Sequence, residues 1–253
     1  MWVHNINPVL VTLFGMEIRY YGLVYVLGFL FGIWWLIRNR KEIGFSKDEV
    51  YDLMFYVMLG GVIGARLIHV FIWEPSYYLS NPLEILMFWK GGMAFHGGLI
   101  GGLFGGWLYH RKKKFRFLQV ADMLSFPLLI AGALGRIANF INGELVGTYS
   151  NLPWCVDFGD GCRHPVQLYS SLKRFVIAGI VLLISRGKHK DGFVFFLTIM
   201  LLGLGRFGID FLREDILYLW LSIGQWSSAL IFIVGLVVLI KWYRVEIVKL
   251  LKK

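Results

Sequence analysis

The chain has 253 residues, of which 57% are hydrophobic and only 17% charged, against the roughly one quarter charged of an ordinary soluble domain. Apolar runs of ~20 residues, the length that crosses a hydrocarbon core, leave too little polar surface for a soluble globule. The formal charge of +10 does not indicate a nucleic-acid binder, because Lys and Arg gather in short runs between apolar segments and no basic helix alternates with base-stacking aromatics.

In chain order, the stretch from Met1 to Pro8 lacks a basic leader and the first apolar run is too long for a signal-peptide core, so no cleavage is expected. Val9–Met16 reads as a short segment at the membrane interface. Spanning helices are then predicted at Tyr20–Ile37, Val50–Ile72, Gly92–Tyr109, Gln119–Ile141, Val166–Ser185, Gly192–Leu212 and Leu219–Trp242. Between the second and third, Tyr77–Lys90 is shorter, amphipathic and interrupted by Pro82, which suits a helix lying in the interface. The longest polar stretch, about 143–165, reads as one extramembrane loop. No linker or repeat divides the chain, so residues 1–253 are expected to form a single all-α transmembrane domain with about seven spans.

The basic runs give this topology a direction. Arg38, Arg40, Lys41 and Lys47 follow the first span, and Arg111, Lys112, Lys113, Lys114 and Arg116 follow the third. Arg186, Lys188 and Lys190 follow the fifth, while Lys241, Arg244, Lys249, Lys252 and Lys253 follow the seventh. Loops rich in Lys and Arg stay in the cytoplasm, which puts the N-terminus outside and the C-terminus inside.

Ionisable groups within a span are costly unless they face a partner or a polar cavity, so each is a functional candidate. Arg66 and His69 share a face of the second span, His96 opens the third, Arg136 and Asn139 share a face of the fourth, and Arg206, Asp210 and Arg213 follow i, i+4, i+7 on the sixth. All fall in the outer half of their spans or just beyond, which predicts one polar cavity opening outward. Snorkelling to the interface, or a structural pair such as Arg206 with Asp210, is the alternative reading. Asp52 and Asp122 lie at inner helix ends, and Lys173 with Arg174 is read as snorkelling. Several guanidinium groups with few acids suit a phosphate, whose oxygens the planar fork matches, and at this depth the obvious anion is a phospholipid headgroup. The glycine run Gly97, Gly98, Gly101, Gly102, Gly105 and Gly106 favours tight helix packing. His96 suits a general base or a hydrogen-bonded structural histidine. Cys155 and Cys162 would pair only in an oxidising compartment. No Ser-His-Asp pattern and no metal-ligand spacing is present, so neither metal nor cofactor is expected.

The stretch Gly135-Arg136-Ile137-Ala138-Asn139-Phe140-Ile141-Asn142-Gly143-Glu144, with Gly147 after it, resembles the signature of the prolipoprotein diacylglyceryl transferase family. Phe95-His96-Gly97-Gly98, Tyr20-Tyr21-Gly22-Leu23, Gly64-Ala65-Arg66, His164-Pro165-Val166-Gln167-Leu168-Tyr169 and the pair Arg206 and Arg213 are similar to further motifs of that family, in order, from about residue 9 to 240. Leu202, Ser170 and the absence of Pro after Arg213 depart from its pattern.

The resemblance implies a cell-membrane enzyme that moves a diacylglyceryl group from phosphatidylglycerol to the lipobox cysteine thiol of a preprolipoprotein, releasing glycerol phosphate. It marks Tyr21, His96, Arg136, Asn139, Glu144, Gly147 and Arg206 as important, with Arg66 and Arg213 in support. Arg136 and Arg206, with Arg66 as a third, are then expected on the phosphate, His96 on the thiol proton, Glu144 and Asn139 as organisers, and Tyr21 on glycerol or a carbonyl. A lipid or anion transporter, a homologue using another lipid donor, and a silent lipoprotein-binding protein are the competing readings.

Overall fold

The computed structural model describes residues 2–13, 16–88 and 91–251. Its helices are α1 Tyr20–Asn39, α2 Lys47–Ile68, α3 Pro75–Ser80, α4 Phe95–Lys112, α5 Phe117–Ile141, α6 Val166–Ser185, α7 Phe193–Ile209, α8 Ile223–Trp242 and α9 Arg244–Leu251. Among the described residues six helical stretches are long and apolar enough to cross a membrane: Tyr20–Asn39, Lys47–Trp73, Phe117–Ile141, Val166–Ser185, Phe193–Leu212 and Ile223–Trp242. Each coincides with a predicted span. In the remaining predicted span, α4, the glycines and the terminal His110, Arg111 and Lys112 dilute the hydropathy. Leu30, Trp34, Phe55, Phe104, Leu172 and Leu230 each expose over half of their surface, so the solvent these helices are built for is lipid and the chain is a multi-pass membrane protein.

Short strands complete the chain: β1 Trp2–Val3, β2 Val9–Leu13, β3 Met16–Arg19, β4 Val156–Asp157, β5 Cys162–Arg163, β6 Leu217–Tyr218 and β7 Leu221–Ser222. They form one three-stranded sheet in the order β1-β4-β5 and two hairpins, β2-β3 and β6-β7. The expected interfacial segment Val9–Met16 is thus corrected to a hairpin. The β-branched Val9, Val11 and Thr12 fit a pleated strand better than a helix; Phe14 and Gly15 lie outside the described residues. Tyr77–Lys90 is broken into α3 and a 3-10 turn, Pro82–Leu86, because Pro82 disfavours helix at Asn81; Trp89 and Lys90, like Lys252 and Lys253, lie outside the described residues.

Two compact units emerge, Leu36–Phe117 and the combination of Met1–Trp35 with Leu118–Lys253. In the first, Ser46 and Glu49 close a capping box at the start of α2. Gly60 and Gly64 of α2 meet Gly97, Gly101 and Gly105 of α4 backbone to backbone, with no room for a Cβ at the contact. This is the small-residue packing of membrane helices.

In the second unit α5, α6, α7 and α8 share a core of Leu129, Ile177, Ala178, Val181, Phe193, Val194, Leu239 and Tyr243. The residue before α7 is Gly192, at φ 91°, which has no side chain to cap the helix. Asp122 of α5 substitutes, its carboxylate accepting from the Gly192 N–H at 2.6 Å and the Phe195 N–H at 2.7 Å. Helix α8 starts at Ile223 and not at Leu219 as predicted, because Ser222 and Gln225 form a capping box while Leu219 and Trp220 adopt φ 51° and 72° in the β6-β7 turn.

Candidate functional site

Helix α5 ends on a Gly143 with φ 68°, the left-handed residue that terminates helices most readily. The chain then folds back so that the Glu144 N–H donates to the Asn139 carbonyl at 3.1 Å. Asn139 is buried and lies one turn beyond Arg136 on the same face. Its Nδ2 donates to Glu144 Oε1 at 2.6 Å, and its Oδ1 faces Arg136 Nη1 at 3.5 Å. Asn142 Nδ2 reaches the same Glu144 oxygen at 3.4 Å, and Gln167 Nε2 of α6 donates to the Glu144 carbonyl at 2.7 Å. Glu144 therefore reaches Arg136 through Asn139.

Gly147 is held next to this array. Its N–H donates to the His164 carbonyl at 3.1 Å, and it faces Arg213 in an isolated antiparallel bridge. A Cβ at Gly147 would stand 2.7 Å from both the His164 carbonyl oxygen and Val166 Cγ1. Arg213 lies past the end of α7, beyond a 3-10 turn Asp210–Leu212, in extended backbone. The predicted helical register of Arg206, Asp210 and Arg213 is corrected accordingly: Arg206 Nε donates to the buried Asp210 at 3.2 Å, while Arg213 pairs with Asp215 at 3.3 Å. Gly224 leaves room for the first pair, since a Cβ there would sit 2.7 Å from Asp210 Oδ2 and 3.3 Å from Arg206 Nη2.

Arg136 is half-buried and lies in the repulsive field of Arg213 and Arg206, which Asp210 and the Tyr21 hydroxyl oppose. Tyr21 shares a 3.1 Å hydrogen bond with Tyr25 one turn along α1, and Tyr25 interacts electrostatically with Glu144 and Arg136. This unit thus brings together Tyr21, Arg136, Asn139, Glu144, Gly147, Arg206 and Arg213. Guanidinium groups concentrated in an apolar bundle bind an anion, and phosphate fits the fork.

The other unit carries Arg66, His69 and His96. Arg66 is buried, and all five of its N–H groups are spent on backbone: Nε on Ile85 O, Nη1 on Gly91 O and Gly92 O, Nη2 on Glu84 O and Met87 O. Its face also lies 5.0 Å from the Tyr78 ring centroid. In this arrangement Arg66 ties together the carbonyls of Glu84, Ile85, Met87, Gly91 and Gly92. His69 stands 3.8 Å from Glu74. His96 is exposed in the first turn of α4.

Sequence reasoning missed Arg163. It is buried beneath the 143–165 loop, where Nε donates to Asp160 at 2.9 Å, Nη1 to the Gly147 carbonyl and to Glu214 at 3.0 Å each, and the guanidinium covers the Tyr149 ring at 3.9 Å. The hydrogen bond with Asp160 raises the Arg163 pKa further and holds the Asp160 carboxyl below the usual carboxylate range. The i, i+3 spacing of Asp160 and Arg163 was the available signal. Cys155 and Cys162 form a disulfide within the same loop. Among the described residues no three His, Cys, Asp or Glu side chains gather as a metal site.

A sequence model of the family described as "Prolipoprotein diacylglyceryl transferase" matches residues 8–241. The chain is similar to proteins named phosphatidylglycerol–prolipoprotein diacylglyceryl transferase from several bacteria. It is 41% identical to that of Nitratidesulfovibrio vulgaris strain DP4 over 92% of this chain and 93% of the relative. It is 38% identical to those of Idiomarina loihiensis, over 93% of each chain, and Geobacter sulfurreducens, over 92% of this chain and 94% of the relative.

Proposed function

The chain belongs to the prolipoprotein diacylglyceryl transferase family, and from that membership we propose that it transfers the diacylglyceryl group of phosphatidylglycerol to the lipobox cysteine thiol of a preprolipoprotein. The observation that carries the reading is the Arg136, Asn139 and Glu144 array lying in one electrostatic field with Arg206 and Arg213. A phosphate ester held there has its departing oxygen stabilised by fixed cations in an apolar setting, where such preorganised charge is most effective.

In the proposed reaction the thiolate attacks the glyceryl carbon bearing the phosphate. A carbon–sulfur bond forms, the carbon–oxygen bond breaks, and its electron pair leaves on glycerol phosphate. Arg136 and Arg206 hold the phosphate. Asn139 and Glu144 fix the Arg136 fork, and Gly147 packs against His164 and Val166 while bridging to Arg213. Tyr21 is assigned to the glycerol or an ester carbonyl. His96 takes the thiol proton, a role worth about 10²–10⁴-fold. Arg66 keeps a supporting role, and its N–H groups hold the carbonyls of Glu84, Ile85, Met87, Gly91 and Gly92.

We further assign one seven-span enzyme domain to the cell membrane, with its N-terminus and site on the extracytoplasmic side and its C-terminus in the cytoplasm. The alternating basic runs support this orientation. So does the Cys155–Cys162 disulfide, a bond that persists in oxidising compartments.

Mass spectrometry of a lipobox peptide incubated with the purified protein and phosphatidylglycerol tests the reading. The expected result is a gain of one diacylglyceryl unit on cysteine, lost in folded Arg136→Ala and Arg206→Ala variants. An unmodified peptide with the parent protein, or parent-like transfer by both variants, overturns it.

A further inference from the structure

Lys173 and Arg174, a pair whose length allows snorkelling from α6, both turn toward neighbouring helices. The Lys173 stem lies directly over Gly205 of α7, the residue before Arg206, where any Cβ would collide with it. Arg174 covers Gly132 of α5, one turn before Arg136, its Nε 3.3 Å from where a Cβ would stand. Nη1 of Arg174 donates to the Ser170 carbonyl at 2.9 Å. Both side chains are half-buried, and both interact electrostatically with Arg136, Arg206 and Asp210. The glycines at 132 and 205 thus act as notches that admit two cations between α5, α6 and α7.

Arg136, Lys173, Arg174 and Arg206 thus share a field with Asp210, whose partner is Arg206, while Arg213 adds a further positive charge at Arg136 and Glu144 reaches Arg136 through Asn139, so that cations outnumber carboxylates in this cluster. Such an excess is costly in an apolar bundle without a ligand of opposite charge. A phosphodiester headgroup brings a single negative charge. When the reaction proposed above breaks the carbon–oxygen bond, the electron pair stays on the phosphate oxygen, and the group becomes a phosphomonoester with two negative charges, the proton having gone from the thiol to the base.

We propose that Lys173 and Arg174 complete, with Arg136 and Arg206, a site for a doubly negative phosphomonoester, so that these two residues favour the departing phosphate over the bound diester. This deepens the transferase reading and rests on it. Charge that is matched better after bond cleavage than before accelerates the step.

The test uses the full chain in detergent with phosphatidylglycerol and a lipobox peptide, at pH 7, where a phosphomonoester with its second pKa at about 6 is mostly dianionic. Absence of any transfer by the parent protein overturns the transferase reading itself, a separate outcome. Given transfer, inhibition constants are measured for glycerol phosphate, for the diester glycerophosphoglycerol, and for short-chain phosphatidic acid. The parent is expected to bind glycerol phosphate at least about tenfold more tightly than the diester, and the Lys173→Gln/Arg174→Gln double variant to lose most of that preference. Lys173→Arg retains it. Gly205→Ala, which keeps both charges but crowds Lys173, lowers it. If phosphatidic acid competes with the same dependence on Lys173, the site accepts the dianion on a lipid; if glycerol phosphate alone does, it accepts the released product, and either result supports the proposal. A parent without preference for the dianion, or a folded double variant that keeps the preference, overturns it.

Discussion

Asn139 donates to Glu144 at 2.6 Å while turning its carbonyl oxygen toward Arg136, so a single amide couples a cation to an acid that it does not touch. Asn139→Ala removes both contacts and leaves the Arg136 fork unaligned. A hydrogen bond to a charged group contributes about 1.5–3 kcal/mol, which corresponds to a loss of roughly 10- to 150-fold in kcat/KM with the protein still folded. Asn139→Asp is expected to be worse, because it sets a carboxylate against Glu144. Initial rates with a lipobox peptide check both; an Asn139→Ala enzyme at parent rate contradicts the coupling.

Gly147→Ala tests whether this glycine is needed for space. A Cβ would press on the His164 carbonyl oxygen and on Val166, so the backbone at 147 must shift, and with it the bridge to Arg213. Overpacking of this kind costs about 1–3 kcal/mol, or roughly 2–12 °C in melting temperature for a chain of this size. Activity should fall alongside, since Arg213 moves with the bridge. Unchanged melting in detergent together with full activity rules out the steric account.

Arg66 and Arg136 should fail in different ways. Arg66→Lys keeps the charge but offers three donors to five carbonyls, and each buried acceptor left unsatisfied costs about 1–3 kcal/mol. Limited proteolysis within residues 84–92 is expected to accelerate at least several-fold in Arg66→Lys and to stay at the parent rate in Arg136→Lys, which loses turnover instead. Equal protection of the 84–92 segment in parent and Arg66→Lys argues against a clamp.

These contrasts show what the sequence could reveal. Apolar run length located the spans because lipid imposes it directly, and the spacing of Arg136 and Asn139 implied a shared face because helical period does. The backbone partners of Arg66 had no sequence signal, because a buried arginine looks the same whether it serves a ligand or carbonyls. The inward turn of Lys173 and Arg174 depends on Gly132 and Gly205 of neighbouring helices, a relationship with no local signature. Arg213 left the helical register because α7 tightens into a 3-10 turn at Asp210, and an interfacial segment at Val9 does not by itself tell strand from helix.

The Cys155–Cys162 bond closes a short loop, with sequence separation 7, and in the chain-entropy account a loop of that size contributes about 2–3 kcal/mol. The reacting thiol belongs to the peptide, so the Cys155→Ser/Cys162→Ser double variant should melt several degrees lower yet transfer lipid at near the parent rate well below its melting temperature. Loss of transfer in a folded double variant would give the bond a part in the reaction.

Asp160 gives the loop a dependence on pH whose sign is fixed by its partner. Arg163 holds the Asp160 carboxyl below its ordinary range by hydrogen bonding, so the folded loop prefers the ionised form more strongly than the unfolded chain does. The contribution is complete above the ordinary aspartate value of about 3.9 and is lost as pH falls through the lower, folded value. Protection of residues 143–165 from a protease active in acid should therefore be level from neutral pH to about pH 5 and decline below about pH 4. Asp160→Asn removes the titrating group and should flatten most of that decline, while lowering protection at neutral pH. If parent and Asp160→Asn lose protection in parallel as the pH drops, the acid sensitivity of the loop lies elsewhere, with Glu214 on the opposite side of Arg163 as the next residue to replace.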